Sequence, residues 1–122
     1  MRLIGLVLAS AVLVGCGGGS GGGGPTGPGP GPGPGPAPST RTVTMGAATF
    51  SPSATTLALN GTVTWVNSSA IEHNVTFAAV AGAPASIDNH TSGSNARTFG
   101  TAGTFSYACT NHAGMTGSVV VQ

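Results

Sequence analysis

The feature that most constrains the fold of this chain is a series of short β-prone runs, separated by turn signals, within residues 41–122. The runs are rich in Val, Thr and aromatic residues, and none shows a sustained helical period. Asn60-Gly61 is a strong signal for a tight hairpin between two of them. We therefore predict an all-β chain, an antiparallel β-sandwich with one small core. Its strands would be Thr42–Met45, Thr55–Leu59, Thr62–Val66, Val75–Phe77, Arg97–Phe99, Thr104–Cys109 and Gly117–Val121.

One loop near the end of the chain carries three side chains that can bind a metal. The spacing is Cys109-x2-His112-x2-Met115, and a second imidazole is available upstream at His73. Soft sulfur favours copper or zinc, and two imidazoles with one thiolate and a weak thioether are typical of blue-copper electron-transfer sites. Structural zinc usually takes four strong donors, and Met is not one of them.

With these residues in place, the region from about Arg41 to Gln122 resembles the small cupredoxins, a family that includes plastocyanin, pseudoazurin and amicyanin. The loop between Cys109 and Met115 has the length found in amicyanin. The other matching segments are Phe50-Ser51-Pro52, Thr62-Val63-Thr64-Trp65-Val66-Asn67, Glu72-His73-Asn74-Val75-Thr76-Phe77 and Gly114-Met115-Thr116-Gly117.

This resemblance implies a Greek-key sandwich that binds one copper ion and shuttles single electrons, without catalysing a reaction. It implies that His73, Cys109 and His112 are the equatorial ligands and that Met115 is the axial one. It also implies that Asn74 supports the site by tying the two ligand loops together through hydrogen bonds.

The amino terminus indicates export. Arg2 is followed by an apolar run from Leu3 to Val14, which is shorter than the roughly 20 residues that a membrane span needs. Leu13-Val14-Gly15-Cys16 resembles a bacterial lipobox, which implies that residues 1–15 are a lipoprotein signal peptide and that Cys16 is lipidated. An ordinary signal peptide cut nearby is the alternative. In the first case the protein is anchored by lipid to a membrane of the bacterial cell envelope, facing the periplasm or the cell surface.

Cys109 is then the only thiol of the folded part. Phe105, Tyr107 and Cys109 alternate with Ser106 and Ala108, so the first three share a face and the thiol lies at the end of a core-facing strand. Exported domains normally use Cys in pairs. A bound metal explains the unpaired thiol.

Residues 16–40 form a linker between the lipid and the domain at 41–122. After Cys16 its composition is almost entirely Gly, Pro and Ser. The Gly-rich part behaves as a flexible coil and the Gly-Pro repeat favours extended conformations. We expect this linker to act as a tether and to contain no binding site.

Charge is sparse, which restricts the possible partners. Arg41, Glu72, Asp88 and Arg97 are the only charged side chains of residues 41–122, and they sum to zero if His is neutral. The chain lacks the basic patch needed to bind nucleic acid. We expect a monomer whose redox partners dock transiently on a small apolar patch near His112, with weak electrostatic steering.

Other functions remain open on the sequence. The same four ligands could store or deliver copper in the envelope. A copper oxidase or nitrite reductase is disfavoured because Ala108 and Thr110 flank Cys109, whereas such enzymes carry a histidine there. A metal-free scaffold would leave the ligand spacing unexplained. An immunoglobulin-type sandwich is disfavoured because its first core Cys is missing. His90 lies in a polar stretch, and we interpret it as part of a solvated loop.

Overall fold

The computed structural model describes residues 35–122, which form two packed β-sheets. The predicted signal peptide, Cys16 and most of the linker lie outside the described residues. Within 35–122 there is no helix that could span a membrane. The strands are β1 Thr40–Met45, β2 Phe50–Ser51, β3 Ala54–Leu57, β4 Thr62–Asn67, β5 His73–Phe77, β6 Ile87–His90, β7 Gly93–Thr98, β8 Gly103–Ala108 and β9 Thr116–Val121.

The two sheets have different numbers of strands. The four-stranded sheet has the order β2-β1-β4-β7, and the five-stranded sheet has the order β3-β9-β8-β5-β6. The predicted all-β sandwich is confirmed. Most pairs are antiparallel, but β1 with β4 and β3 with β9 run parallel. These two parallel pairs arise because consecutive strands often belong to opposite sheets.

The hairpin predicted at Asn60-Gly61 is wrong. A turn does form there, since Asn60 has φ +63° and the Gly61 amide donates to the Ala58 carbonyl at 2.9 Å. However, β3 pairs with β9 and β4 pairs with β1 and β7, so the turn carries the chain from one sheet to the other. A Cβ at Gly61 would lie 2.7 Å from the Ala58 oxygen and 2.8 Å from the Ser39 oxygen, which explains the glycine.

Two strands were not anticipated by the sequence. The short strand β2 pairs with β1, and β6 pairs with β5 at the edge of the five-stranded sheet. The prediction that His90 lies in a solvated loop is therefore wrong, because His90 ends β6 and is half-buried. Polar residues can occupy β6 because only its first residue, Ile87, is fully buried.

The core lies between the sheets and is built from alternating inward-facing residues, as the strand period of two requires. Trp65 at its centre is fully buried and contacts the Tyr107 and Phe77 rings edge-on, with centroids 5.3 and 5.6 Å away. Such T-shaped pairs are favoured by the charge distribution of aromatic rings. The remaining buried apolar side chains are Val43, Met45, Phe50, Leu57, Val63, Val75, Ile87, Phe99, Phe105, Cys109, Met115, Val119 and Val121.

Arg97 joins the edges of the two sheets. From β7 its Nε donates to the Ala85 carbonyl at 2.7 Å, and its two terminal nitrogens donate to the carbonyls of Ser86 and Ala96, both at 2.8 Å. Residues 85 and 86 lead into β6 of the opposite sheet. A planar guanidinium can satisfy several acceptors at once, and here it fixes the entry to the strand that lies beside His73.

Candidate metal centre

Three strands deliver the predicted ligands to one end of the sandwich. His73 is the first residue of β5, Cys109 directly follows β8, and Met115 directly precedes β9. His112 lies in the loop between β8 and β9. Because β5 and β8 are hydrogen-bonded neighbours, with Phe77 opposite Tyr107, the start of β5 lies beside the end of β8. Ligands that are 36 residues apart in sequence are thereby brought together.

The donor atoms of His73, Cys109 and His112 converge. The Cys109 Sγ lies 3.7 Å from the His73 Nδ1 and 3.5 Å from the His112 Nδ1, and one donor from each residue lies within 4.8 Å of the others. Nitrogen and sulfur bind zinc at about 2.1 and 2.3 Å. With bonds of that length, donors at 110–120° around one ion would be about 3.6–3.8 Å apart. The observed separations fit a single ion.

The loop that carries His112 and Met115 is closed by its own backbone. The Cys109 amide donates to the Met115 carbonyl at 2.9 Å, and the Met115 amide donates to the His112 carbonyl at 3.2 Å. Gly114 has φ +77°, a conformation that residues with a Cβ rarely adopt. Met115 itself is 1% exposed. Its thioether is therefore kept from solvent at the end of the tight loop.

His73 is held in the neutral form that a metal ligand requires. It is fully buried, and this desolvation lowers its pKa below 6.5. The neighbouring His112 and His90 rings add to the shift, while the Gly46 backbone opposes it. A ligating imidazole must be unprotonated. Burial thus prepares His73 for binding at neutral pH.

Cys109 lies at the end of the buried face of β8, as its alternation with Phe105 and Tyr107 predicts. All three side chains are at most 4% exposed, and Cys109 is a free thiol. His112 is half-buried, whereas Ala113 and Gly114 beside it are exposed. The site is consequently buried on its thiol side and reaches the surface on its His112 side.

Asn74 lies between the two ligand loops. Its Oδ1 accepts from the Thr110 amide at 3.0 Å, and its Nδ2 donates to the Thr110 hydroxyl at 2.7 Å. Asn74 follows His73 and Thr110 follows Cys109, so these bonds join the neighbours of two donors. Hydrogen bonds around the ligands orient them and tune a metal site.

Three further polar residues that sequence reasoning missed complete this arrangement. Glu72 directly precedes His73, and Asn111 directly precedes His112. Their position next to a predicted ligand was the sequence signal that could have identified them. Asn89 lies on β6, and nothing in its local sequence indicates that it lies near the site. Its side chain contacts Glu72, Asn74 and Asn111.

His90 is close to the centre without belonging to it. It lies opposite His73 in the β5–β6 pair, and its Nδ1 is 2.8 Å from the Asp88 carbonyl. The converging donor group comprises only His73, Cys109 and His112 among residues 35–122. The Nε2 of His90 is buried and has no hydrogen-bond partner within that range.

Comparison with known proteins agrees with this geometry. Residues 39–122 match a family model described as copper binding proteins of the plastocyanin/azurin family. Plastocyanin of Scenedesmus fuscus is 40% identical over 88 residues, covering 63% of this chain and 90% of that protein. Chloroplastic plastocyanin of Tetradesmus obliquus is 38% identical, covering 63% of this chain and 61% of that protein.

Solved structures give the same relationship. The Cu(I) form of an amicyanin variant superposes with a TM-score of 0.62 and 34% identity, covering 70% of this chain and 85% of that one. A copper-containing nitrite reductase from Thermus scotoductus has a TM-score of 0.62 at 23% identity, covering 68% of this chain and 22% of that one, and shares the fold. The β-sandwich, the converging donor atoms and these similarities together show that the chain belongs to the plastocyanin/azurin family of copper-binding proteins.

Proposed function

We propose that this protein carries single electrons on one copper ion held by His73, Cys109, His112 and Met115. The observation that supports this most directly is the convergence of the Cys109 Sγ with the Nδ1 atoms of His73 and His112. Copper, when bound, supplies the redox chemistry by alternating between Cu(I) and Cu(II). The buried protein ligands suit both states, which limits rearrangement during transfer.

Electrons enter and leave through the His112 edge in this proposal. His112 is the donor residue nearest the surface, and the exposed Ala113 and Gly114 that follow it are small and uncharged. A redox partner can therefore bring its own centre close without displacing long side chains. The interface is transient and small, at the low end of the range for protein complexes, and the carrier itself is a monomer.

Electron transport without catalysis is supported by the residues around the thiol. Ala108 and Thr110 flank Cys109, so no histidine is next to Cys109 in the sequence to connect the site with a second copper centre. Plastocyanins and amicyanins are similar over most of the domain. Similarity to the nitrite reductase extends only to the fold.

Copper storage or delivery is the alternative use of the same ligands. Delivery requires ligands that release the ion readily to another protein. Here His73 is fully buried and both ligand loops are hydrogen-bonded to each other through Asn74. This arrangement favours retention of the ion and thus electron transport.

The copper site is tested by adding one equivalent of Cu(II) to the purified protein and recording visible and electron paramagnetic resonance spectra. We expect an intense thiolate-to-copper band with narrow copper hyperfine splitting, lost in Cys109→Ser. A colourless copper adduct would contradict the proposal. Rapid loss of copper to a competing metal-free protein, without a reversible potential, would favour delivery.

We also propose that the protein is exported and anchored through a lipid on Cys16. The lipobox resemblance and the Gly/Pro linker support this assignment. Mass spectrometry of the amino-terminal peptide from a bacterial membrane fraction should find acylated Cys16, and Cys16→Ser should move the protein out of that fraction. An unmodified amino terminus in the soluble fraction would instead indicate an ordinary signal peptide.

A further inference from the structure

Asn89 has an unusual position relative to the metal centre. It is not a predicted ligand and is not next to one in the sequence. Asn89 lies on β6 and is exposed. Its Oδ1 nevertheless accepts from the Asn74 Nδ2 at 2.8 Å and from the Asn111 Nδ2 at 3.0 Å. Its Nδ2 donates to the Glu72 Oε1 at 3.0 Å. One amide thereby contacts the residues on both sides of His73 and the residue before His112.

The hydrogen-bonding pattern requires the amide orientation that the structure shows. A side-chain amide offers one oxygen with two lone pairs and one nitrogen with two hydrogens. In this orientation the oxygen faces two NH2 groups and the nitrogen faces a carboxylate oxygen. The flipped amide would place donors against donors and an oxygen against the carboxylate. Of the side chains that resemble Asn89 in size, only an amide satisfies all three partners at once.

A bulge in the strand pair explains how Asn89 reaches this position. His73 lies opposite His90 and Val75 lies opposite Ile87, so Asn74 alone faces both Asp88 and Asn89. The extra residue in β6 interrupts the pairing, and such bulges commonly redirect a side chain next to a functional site. Arg97 holds the residues just before β6. The start of the strand that presents Asn89 is therefore held in place.

We propose that Asn89 is a positioning residue for the copper site, and this rests on the proposed function. It joins the His73 segment, through Glu72 and Asn74, to the His112 loop, through Asn111. Without it, Asn74 would still tie the His73 segment to Thr110. The Asn111 side chain would keep only its long contact with the Glu72 carbonyl at 3.5 Å, so the link to the His112 side of the loop would be weakened, and His112 is the ligand nearest the surface.

The sharpest test reverses the hydrogen bond between Glu72 and Asn89. Asn89→Asp keeps an acceptor for Asn74 and Asn111 but places a second carboxylate against Glu72. Glu72→Gln alone keeps an acceptor for Asn89 and is the silent control. The double variant restores a donor and an acceptor, in the opposite direction, and has the same net charge as the natural protein. Thr42→Asp, exposed on β1 in the other sheet, controls for the added charge.

The first measurement needs no metal. Amide hydrogen exchange of the metal-free protein is followed at Thr110 and Met115, whose amides are hydrogen-bonded within the ligand loops. Loss of a hydrogen bond worth about 1 kcal/mol corresponds to about a fivefold change in an equilibrium. We expect exchange at Met115 to be about fivefold faster in Asn89→Asp and within twofold of the natural protein in the double variant and both controls. Exchange at Thr110, whose amide keeps its bond to Asn74, should change less.

The second measurement uses copper-loaded protein. We expect the electron paramagnetic resonance spectrum of Cu(II) to change in Asn89→Asp and to return to that of the natural protein in the double variant. A residue with only a structural role would not produce this change in the ligand field and its reversal. Asn89→Ala should show the same change without an added charge. The proposal is wrong if Asn89→Asp and Asn89→Ala match the natural protein, or if the double variant is no closer to it than Asn89→Asp. Failure of the natural protein to form a blue site would refute the proposed function, while the metal-free exchange would still test the role of Asn89.

Discussion

Gly117→Ala should destabilise this protein severely, because the Tyr107 ring lies directly on that glycine. Tyr107 and Gly117 are paired across β8 and β9. A Cβ at position 117 would lie 2.5 Å from the Tyr107 Oη and 2.6 Å from its Cε2, and it would also collide with Cζ. Ordinary contact begins near 3.4 Å. The ring would have to move by about 1 Å, which a densely packed core resists.

The surrounding rings restrict that movement. Phe50, Trp65 and Phe77 pack edge-on around Tyr107, with centroids at 4.8, 5.3 and 5.7 Å. Overpacking costs about 1–3 kcal/mol, and each weakened aromatic pair can add about 0.5–1.5 kcal/mol. We expect a loss of about 3 kcal/mol in the free energy of unfolding. For a domain of this size that corresponds to a fall in Tm of about 15 °C.

Urea unfolding of the metal-free protein measures this loss without a contribution from metal binding. A double-mutant cycle with Tyr107→Leu identifies its cause, since leucine lacks the three ring atoms that meet the new Cβ. In that background Gly117→Ala should cost little. Gly100→Ala is the matched control, because its Cβ would meet only the Asn60 Oδ1 at 3.7 Å. Equal stability of Gly117→Ala and the natural protein, or an equal loss in the Tyr107→Leu background, would refute the reasoning.

Three further predictions concern ionisation, the sheet edge and docking. Burial raises the pKa of Tyr107 above 10.0, with the Trp65 indole offsetting part of the shift. The free energy of unfolding should therefore decline above about pH 10, because the unfolded chain releases the phenolic proton there while the native protein keeps it. An ultraviolet titration that shows an unshifted tyrosine would disprove this. Arg97→Lys should lower the free energy of unfolding by about 1 kcal/mol in urea, because an ammonium cannot reproduce the three-carbonyl contact; an unchanged midpoint would contradict it. Electron transfer with the physiological partner should vary less than about tenfold between low and high salt, because the charges of residues 41–122 sum to zero; a change of several orders of magnitude in stopped-flow rates would be inconsistent with docking on an uncharged patch.

Local sequence patterns predicted correctly those features that depend on a single strand or a single loop. The alternation of Phe105, Tyr107 and Cys109 places all three in the core, as predicted, because strand geometry alternates side chains between faces. The spacing of Cys109 and His112 brings the Sγ and Nδ1 atoms within 3.5 Å, since a seven-residue loop closed by Cys109 and Met115 leaves few arrangements.

Local sequence patterns gave wrong or missing predictions for features that depend on the pairing of distant strands. Asn60-Gly61 forms the turn that its sequence predicts, but a turn does not specify whether the next strand stays in the same sheet. The crowding of Gly61 against Ser39 depends on residues that are distant in sequence. Strand β6 was missed because an edge strand buries few side chains and therefore shows little hydrophobic alternation.

The sequence by itself determined the β architecture, the sparse charge and the chemistry of the donors, because each depends on residue types or on spacing within a few positions. The tertiary structure decided that His73 meets Cys109, through the pairing of β5 with β8. It also decided that Asn89 connects both ligand loops, through a bulge between β5 and β6. Such contacts depend on strand order and register, which arise from burying all the strands together and are encoded in no single segment.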